Sequence, residues 1–168
     1  MVNTIVRLTG KNNENRSALL SQLHTALSLR FGREPDRLSN YILHNDLIST
    51  FRVNGCLVGL ISHQNPSQDP IELLHELIST KCNIIVFTSV DLLGAAERLN
   101  SVALENNYRI IDSAPFWSGT FGFDYLAQIE LENLIDLIEL LTENENCVGN
   151  TAVMNFDGET LLHGPKAS

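Results

Sequence analysis

Cysteine is scarce in this chain: Cys56, Cys82 and Cys147 are the three among 168 residues, and no two of them make a C-x-x-C pair. Odd in number and far apart, they support neither a zinc site nor a disulfide framework. Cys56 and Cys82 border apolar stretches, where free cysteine serves as a small buried hydrophobe. No apolar run approaches the roughly 18 residues that cross a bilayer. The opening Met-Val-Asn-Thr-Ile-Val-Arg lacks the basic segment and long apolar core of a secretory signal. Basic residues are few as well, with 11 Lys and Arg against 20 Asp and Glu and a net charge of −9. A duplex binder needs a basic face that displaces counterions, so neither nucleic acid nor a membrane is the expected partner. The expectation is a soluble, cytoplasmic protein. Its one local concentration of cations is Arg7, Lys11, Arg16 and Arg30, near the N-terminus.

What the chain does have is core-forming residues. At 43% hydrophobic it suits one globular domain over residues 1–168. Thr4 to Leu8 is a short strand candidate. From Ser17 the apolar residues Leu19, Leu20, Leu23, Ala26, Leu27 and Phe31 recur at helical spacing, and Gly32 is placed to end that helix. Ile48 to Val53 resumes a strand, and Asn54-Gly55 is a strong hairpin signal. Cys56 to Ile61 is almost wholly apolar, as a strand covered on both faces should be. Pro70 suits the first turn of a helix carrying Ile71, Leu73, Leu74, Leu77 and Ile78. Asn83 to Phe87 is another buried strand, Leu92 to Asn106 a helix, and Tyr108 to Ile111 a strand. Tyr125 to Leu141 forms a long helix, with acidic residues between Glu130 and Glu145 on its wet side. Asp157-Gly158, between Thr151–Phe156 and Glu159–His163, signals a second hairpin. The alternation predicts an α/β fold: a mostly parallel sheet with helices on both faces. A C-terminal helix follows, with residues 144–168 as a hairpin extension.

Between the first strand and first helix runs "GKNNENRS", Gly10 to Ser17. A Walker phosphate loop reads G-x-x-x-x-G-K-[ST] in that place. Gly10 holds the first position and Ser17 the last, where a Mg²⁺ ligand would stand, but the Gly-Lys pair is Asn15-Arg16. A phosphate cradle turns backbone N–H groups inward through left-handed residues, which Asn tolerates better than most. Asn12, Asn13 and Asn15 are therefore expected to preserve a cradle, with the helix N-terminus favouring an anion. Arg16 is longer and forked where lysine is a compact charge. Lys11 offers a second cation, similar to the extra lysine of the deviant Walker loop. Without its context the stretch is simply a polar turn.

That context extends further. "VNGCLVGLISHQNP" (Val53 to Pro66), "CNIIVFTSV" (Cys82 to Val90) and "NNYRIID" (Asn106 to Asp112) follow the element order of small bacterial P-loop NTPase-like proteins of unknown function. The chain resembles that group from about Thr4 to Asp112. The resemblance implies a phosphate site at Gly10, Lys11, Asn12, Asn13, Asn15, Arg16 and Ser17. It implies a second loop at Gln64, Asn65, Thr88, Ser89 and Asp91, and ATP or GTP with Mg²⁺ as the ligand. Where the group carries an acidic residue after the third strand, this chain has Asn65 preceded by Gln64. A basic residue expected after the fourth strand is replaced within Thr88-Ser89-Val90. Phosphoryl transfer depends on positioning and electrostatics, so these changes imply a degenerate NTPase with little hydrolysis.

Other polar residues carry less. His63 and His75 are too far apart for a metal site, His24 and His163 look incidental, and no metal site is expected beyond Ser17. Ser62, Ser89 and Ser118 lack a nucleophile-elbow context. Asp69, Glu72 and Glu76 suit a solvated helix face, Asp91 a helix cap, and Asp112 lies near a strand end where a ligand sits. The first expectation is thus a weak binder of a nucleotide or phosphorylated small molecule. The alternative is a protein–protein interaction module that kept the fold and lost the ligand, and a third is an active NTPase or small kinase using Arg16. A homodimer through the Trp117 loop and the C-terminal hairpin is the expected assembly.

Overall fold

Strand and helix alternate as the periodicity requires. The computed structural model describes residues 2–9, 13–32, 42–43, 46–65, 69–89, 92–114 and 123–143. In chain order the elements are β1 (Asn3–Leu8), α1 (Asn13–Phe31), β2 (Ile42–Leu43), β3 (Asp46–Val53) and β4 (Cys56–His63). They continue with α2 (Pro70–Ser79), β5 (Ile84–Ser89), α3 (Leu92–Glu105), β6 (Tyr108–Ser113) and α4 (Phe123–Glu143). The strands form one sheet in the order β2-β3-β4-β5-β1-β6. β4, β5, β1 and β6 are mutually parallel, and β3 and β2 extend the β4 edge in antiparallel fashion.

The antiparallel pair follows from two residues. Asn54 and Gly55 take φ of 49° and 83°, the positive pair that a tight type I′ turn needs. Val53 therefore faces Cys56 and the register runs back to Leu47 opposite Ser62. Every residue of β4 and β5 is buried, as expected of strands covered on both sides. Alternation divides them between two cores. Leu57, Ile61, Ile85 and Phe87 pack with Leu74 and Leu77 of α2 and Leu99 and Val102 of α3. Val58, Leu60, Ile84 and Val86 pack on the other side with Leu20 and Leu23 of α1 and Leu134 and Ile138 of α4. The result is three layers, with α2 and α3 on one face and α1 and α4 on the other. The α2 layer lies close at Gly59, where an added Cβ would stand 2.6 Å from Leu77 Cδ1 and 3.1 Å from Cys82 Sγ.

Several boundaries differ from the sequence expectation. β5 and β6 run on through Thr88-Ser89 and Asp112-Ser113 because neighbouring strands continue the ladder there: Ser62 pairs with Thr88, His63 with Ser89 and Leu8 with Ser113. From the sequence the strands were expected to end at Phe87 and Ile111. α1 begins at Asn13 rather than Ser17. Asp69, expected on a solvated face, caps α2 by accepting from the Ile71 N–H at 3.0 Å, with Pro70 in the first turn.

The cysteines divide. Cys82 is buried and free, and burial pushes its thiol up to about 11, so it behaves as the expected inert hydrophobe. Cys56 is disulfide-bonded, which corrects the expectation of a free thiol. Pairing depends on distances between sulfurs that spacing in sequence does not reveal. Among the described residues no helix is long and apolar enough to cross a membrane. The Trp117 loop and the Thr151–His163 hairpin lie outside the described residues.

Candidate functional site

Ligands in open parallel sheets settle at the carboxyl ends of the strands, where successive connections leave toward opposite faces. Here β1 leads to α1 on one face and β5 leads to α3 on the other. Because β1 and β5 are neighbours, the crevice opens between them. The residues gathered there come from the first turns of α1 and the last residues of β4 and β5.

Arg16 is the main feature. It is only 3% exposed, and its guanidinium crosses from α1 to the end of β5. Nε donates to Thr88 Oγ1 at 3.0 Å and Nη2 donates to the Ser89 carbonyl at 3.0 Å. Burial lowers its pKa from the ordinary arginine value, since desolvation disfavours the charged form. Beside it, Ser62 Oγ donates to Ser17 Oγ at 3.1 Å, fastening α1 to β4. Thr88 and Ser89 are fully buried. Gln64 and Asn65 follow β4 and are half-buried.

The sequence-derived set is therefore partly assembled. Arg16, Ser17, Thr88 and Ser89 meet around the ends of β4 and β5. Asn15 is buried in α1, and Asn13 opens the same helix, so neither supplies the left-handed backbone expected of a cradle. Helix nucleation extends two residues ahead of Asn15, and helical hydrogen bonding holds these asparagines on the right-handed side. Gly10, Lys11, Asn12 and Asp91 lie outside the described residues. Asp112, which the sequence left available to a ligand, is committed to Arg7: its oxygens accept from Nε at 2.5 Å and Nη2 at 2.9 Å.

The described residues do not by themselves make a magnesium site. Mg²⁺ is normally bound by carboxylates together with phosphate oxygens and water. The Ser17 hydroxyl is tied to Ser62, Asp112 to Arg7, and Asp69 to Arg98 through both oxygens at 3.0 and 2.6 Å. Among the described residues no group of three His, Cys, Asp or Glu could hold a metal ion.

One residue escaped the sequence reading. His63, passed over for want of a metal partner, ends β4 at 1% exposure, with Nδ1 3.3 Å from Ser89 Oγ. Its signal was present: it closes an otherwise apolar strand that is covered on both faces, a position where an imidazole is buried. Elsewhere, an open groove between α1 and α4, lined by Ala26, Leu29, Ala127 and Leu131 among others, brings no titratable group together. The chain matches no protein-family model, no curated protein and no solved structure.

Proposed function

We propose that this chain is a P-loop-like protein that binds a nucleotide or another phosphorylated small molecule weakly at the carboxyl ends of β1, β4 and β5, with little hydrolysis. The observation that carries this reading is the buried guanidinium of Arg16 in the first turns of α1. The amino end of a helix has positive potential, and a cation placed there adds to it rather than cancelling it. Such an arrangement favours an anion, and a phosphate at a helix N-terminus is its usual form. The location, at the switch point of a parallel sheet, is where such ligands sit.

Weak turnover follows from the same geometry. A guanidinium bonded to Thr88 and Ser89 is a fixed positive wall, not a mobile charge that follows a transferring phosphoryl group. No carboxylate stands at Asn65 to orient water or metal. A second reading, the interaction module that has lost its ligand, rests on the same two hydrogen bonds: there Arg16 simply straps α1 to the sheet.

Calorimetric titration with ATP, GTP, ADP and GDP, with and without Mg²⁺, separates these. Weak binding of at least one nucleotide, little changed by Mg²⁺, is the expected result. Absence of heat with all four at millimolar concentration would remove the ligand reading and leave the strap.

A further inference from the structure

His63 poses a hydrogen-bonding problem that its surroundings do not solve. Its Nδ1 meets the Ser89 hydroxyl at 3.3 Å, while Nε2 is buried with no hydrogen-bond partner. Two neutral tautomers are available. If Nδ1 carried the proton, it would donate to Ser89 Oγ. The Ser89 hydroxyl proton, in a side chain with no exposure, would then have no acceptor, and the Nε2 lone pair would also be unmet. If Nε2 carries the proton, Ser89 donates to Nδ1 and both of those groups are satisfied. Only the Nε2–H is left over. Buried polar groups left without a partner are costly, so the second tautomer prevails, and it leaves an N–H donor in search of an oxygen. Asp69, at the head of α2, is near enough to feel the charge of His63, yet its oxygens accept from Arg98 and the Ile71 N–H and none reaches Nε2.

Ser89 also connects this donor to Arg16. Its carbonyl accepts from the guanidinium and its hydroxyl meets the imidazole. Thr88, which also accepts from Arg16, follows Ile84 and Val86 on the α1 face of β5, while Ser89 follows Ile85 and Phe87 on the α2–α3 face. Guanidinium and imidazole thus flank the end of β5 from opposite faces of the sheet, the imidazole reaching it from β4, on the edge away from β1. We infer that His63 Nε2–H is a second anchor of the ligand site, donating to an anionic oxygen, and that the ligand carries two or more linked phosphates lying over the end of β5. One phosphate is held on the Arg16 side and the next on the His63 side. This inference rests on the phosphate-binding reading above and narrows its ligand to a di- or polyphosphate.

The test compares inorganic pyrophosphate with orthophosphate by calorimetry on the full chain, with ¹⁵N–¹H correlation spectra of the histidine ring. The ligand-free protein should show a proton on Nε2 and none on Nδ1. Pyrophosphate should bind at least tenfold more tightly than orthophosphate and shift the His63 Nε2 resonance. In His63→Leu that preference should vanish. In His63→Gln, whose amide N–H stands near the Nε2 position, part of it should return, which a merely structural role would not produce. A proton on Nδ1, or an undiminished pyrophosphate preference in folded His63→Leu, overturns the inference while leaving phosphate binding intact. Failure of the wild-type chain to bind pyrophosphate, orthophosphate or any of the four nucleotides overturns both.

Discussion

Replacing Arg16 with methionine separates a residue kept for a ligand from one kept for the fold. The substitution removes the guanidinium and retains most of the apolar stem. The bonds lost include those of 3.0 Å to Thr88 Oγ1 and the Ser89 carbonyl. A hydrogen bond from a charged donor contributes about 1.5–3 kcal/mol, so the loss amounts to roughly 3–6 kcal/mol. Against it stands the desolvation of a guanidinium that is 3% exposed, an effect of several kcal/mol that disappears with the charge. The offset is incomplete, because Thr88 and Ser89 stay buried without this donor, and Arg16→Met should lower stability by about 1–2 kcal/mol, or Tm by about 2–8 °C for a chain of this size. Nucleotide affinity should behave differently. Loss of a charge-assisted contact to phosphate weakens binding by about tenfold or more. Scanning calorimetry and ATP titration on the same sample measure both quantities. A fall in Tm beyond about 10 °C with unaltered affinity would refute the reasoning: Arg16 would then be a strap, and the anion site would lie elsewhere.

Hydrolysis offers a direct check, since phosphate release from ATP or GTP should stay near background; turnover of about one per second that Arg16→Ala abolishes would establish an active enzyme instead. Gly59→Ala places a methyl 2.6 Å from buried Leu77 Cδ1, an overpacking that should cost about 1–3 kcal/mol and appear as a lower urea midpoint; an unchanged midpoint would mean α2 is not seated where described. The Arg7 hydrogen bonds hold the Asp112 carboxyl below the usual carboxylate range, and the Arg98 hydrogen bonds do the same for Asp69. Because the unfolded chain then protonates first, these pairs contribute fully above about pH 4, and their contribution fades as pH falls through the depressed folded values. Urea midpoints between pH 6 and pH 2.5 should therefore drop more steeply for wild type than for Asp112→Asn, and parallel curves would count against the pairing.

The layered α/β architecture was legible in the residues because it depends on local periodicity. Unbroken apolar runs at Cys56–Ile61 and Ile84–Phe87 require a strand covered on both faces, and the three- and four-residue spacing from Leu19 to Phe31 requires a helix packed on one side. Asn54-Gly55 set a hairpin because few other dipeptides take two positive φ values without strain. Arg16, Ser17, Thr88 and Ser89 could be named from their places beside strand ends. Their relationships could not. Which acceptors the Arg16 guanidinium meets, and that Asp112 is taken by Arg7 across the β1–β6 pair, depends on strand order, which joins residues about 70 to 105 positions apart. Helical Asn15 and disulfide-bonded Cys56 were misread, and buried His63 was passed over, for the same reason: conformation, pairing and burial at these positions are settled by neighbours distant in sequence. Local chemistry chose the elements, and the sheet's crossover order brought Arg16 and His63 to the same strand end.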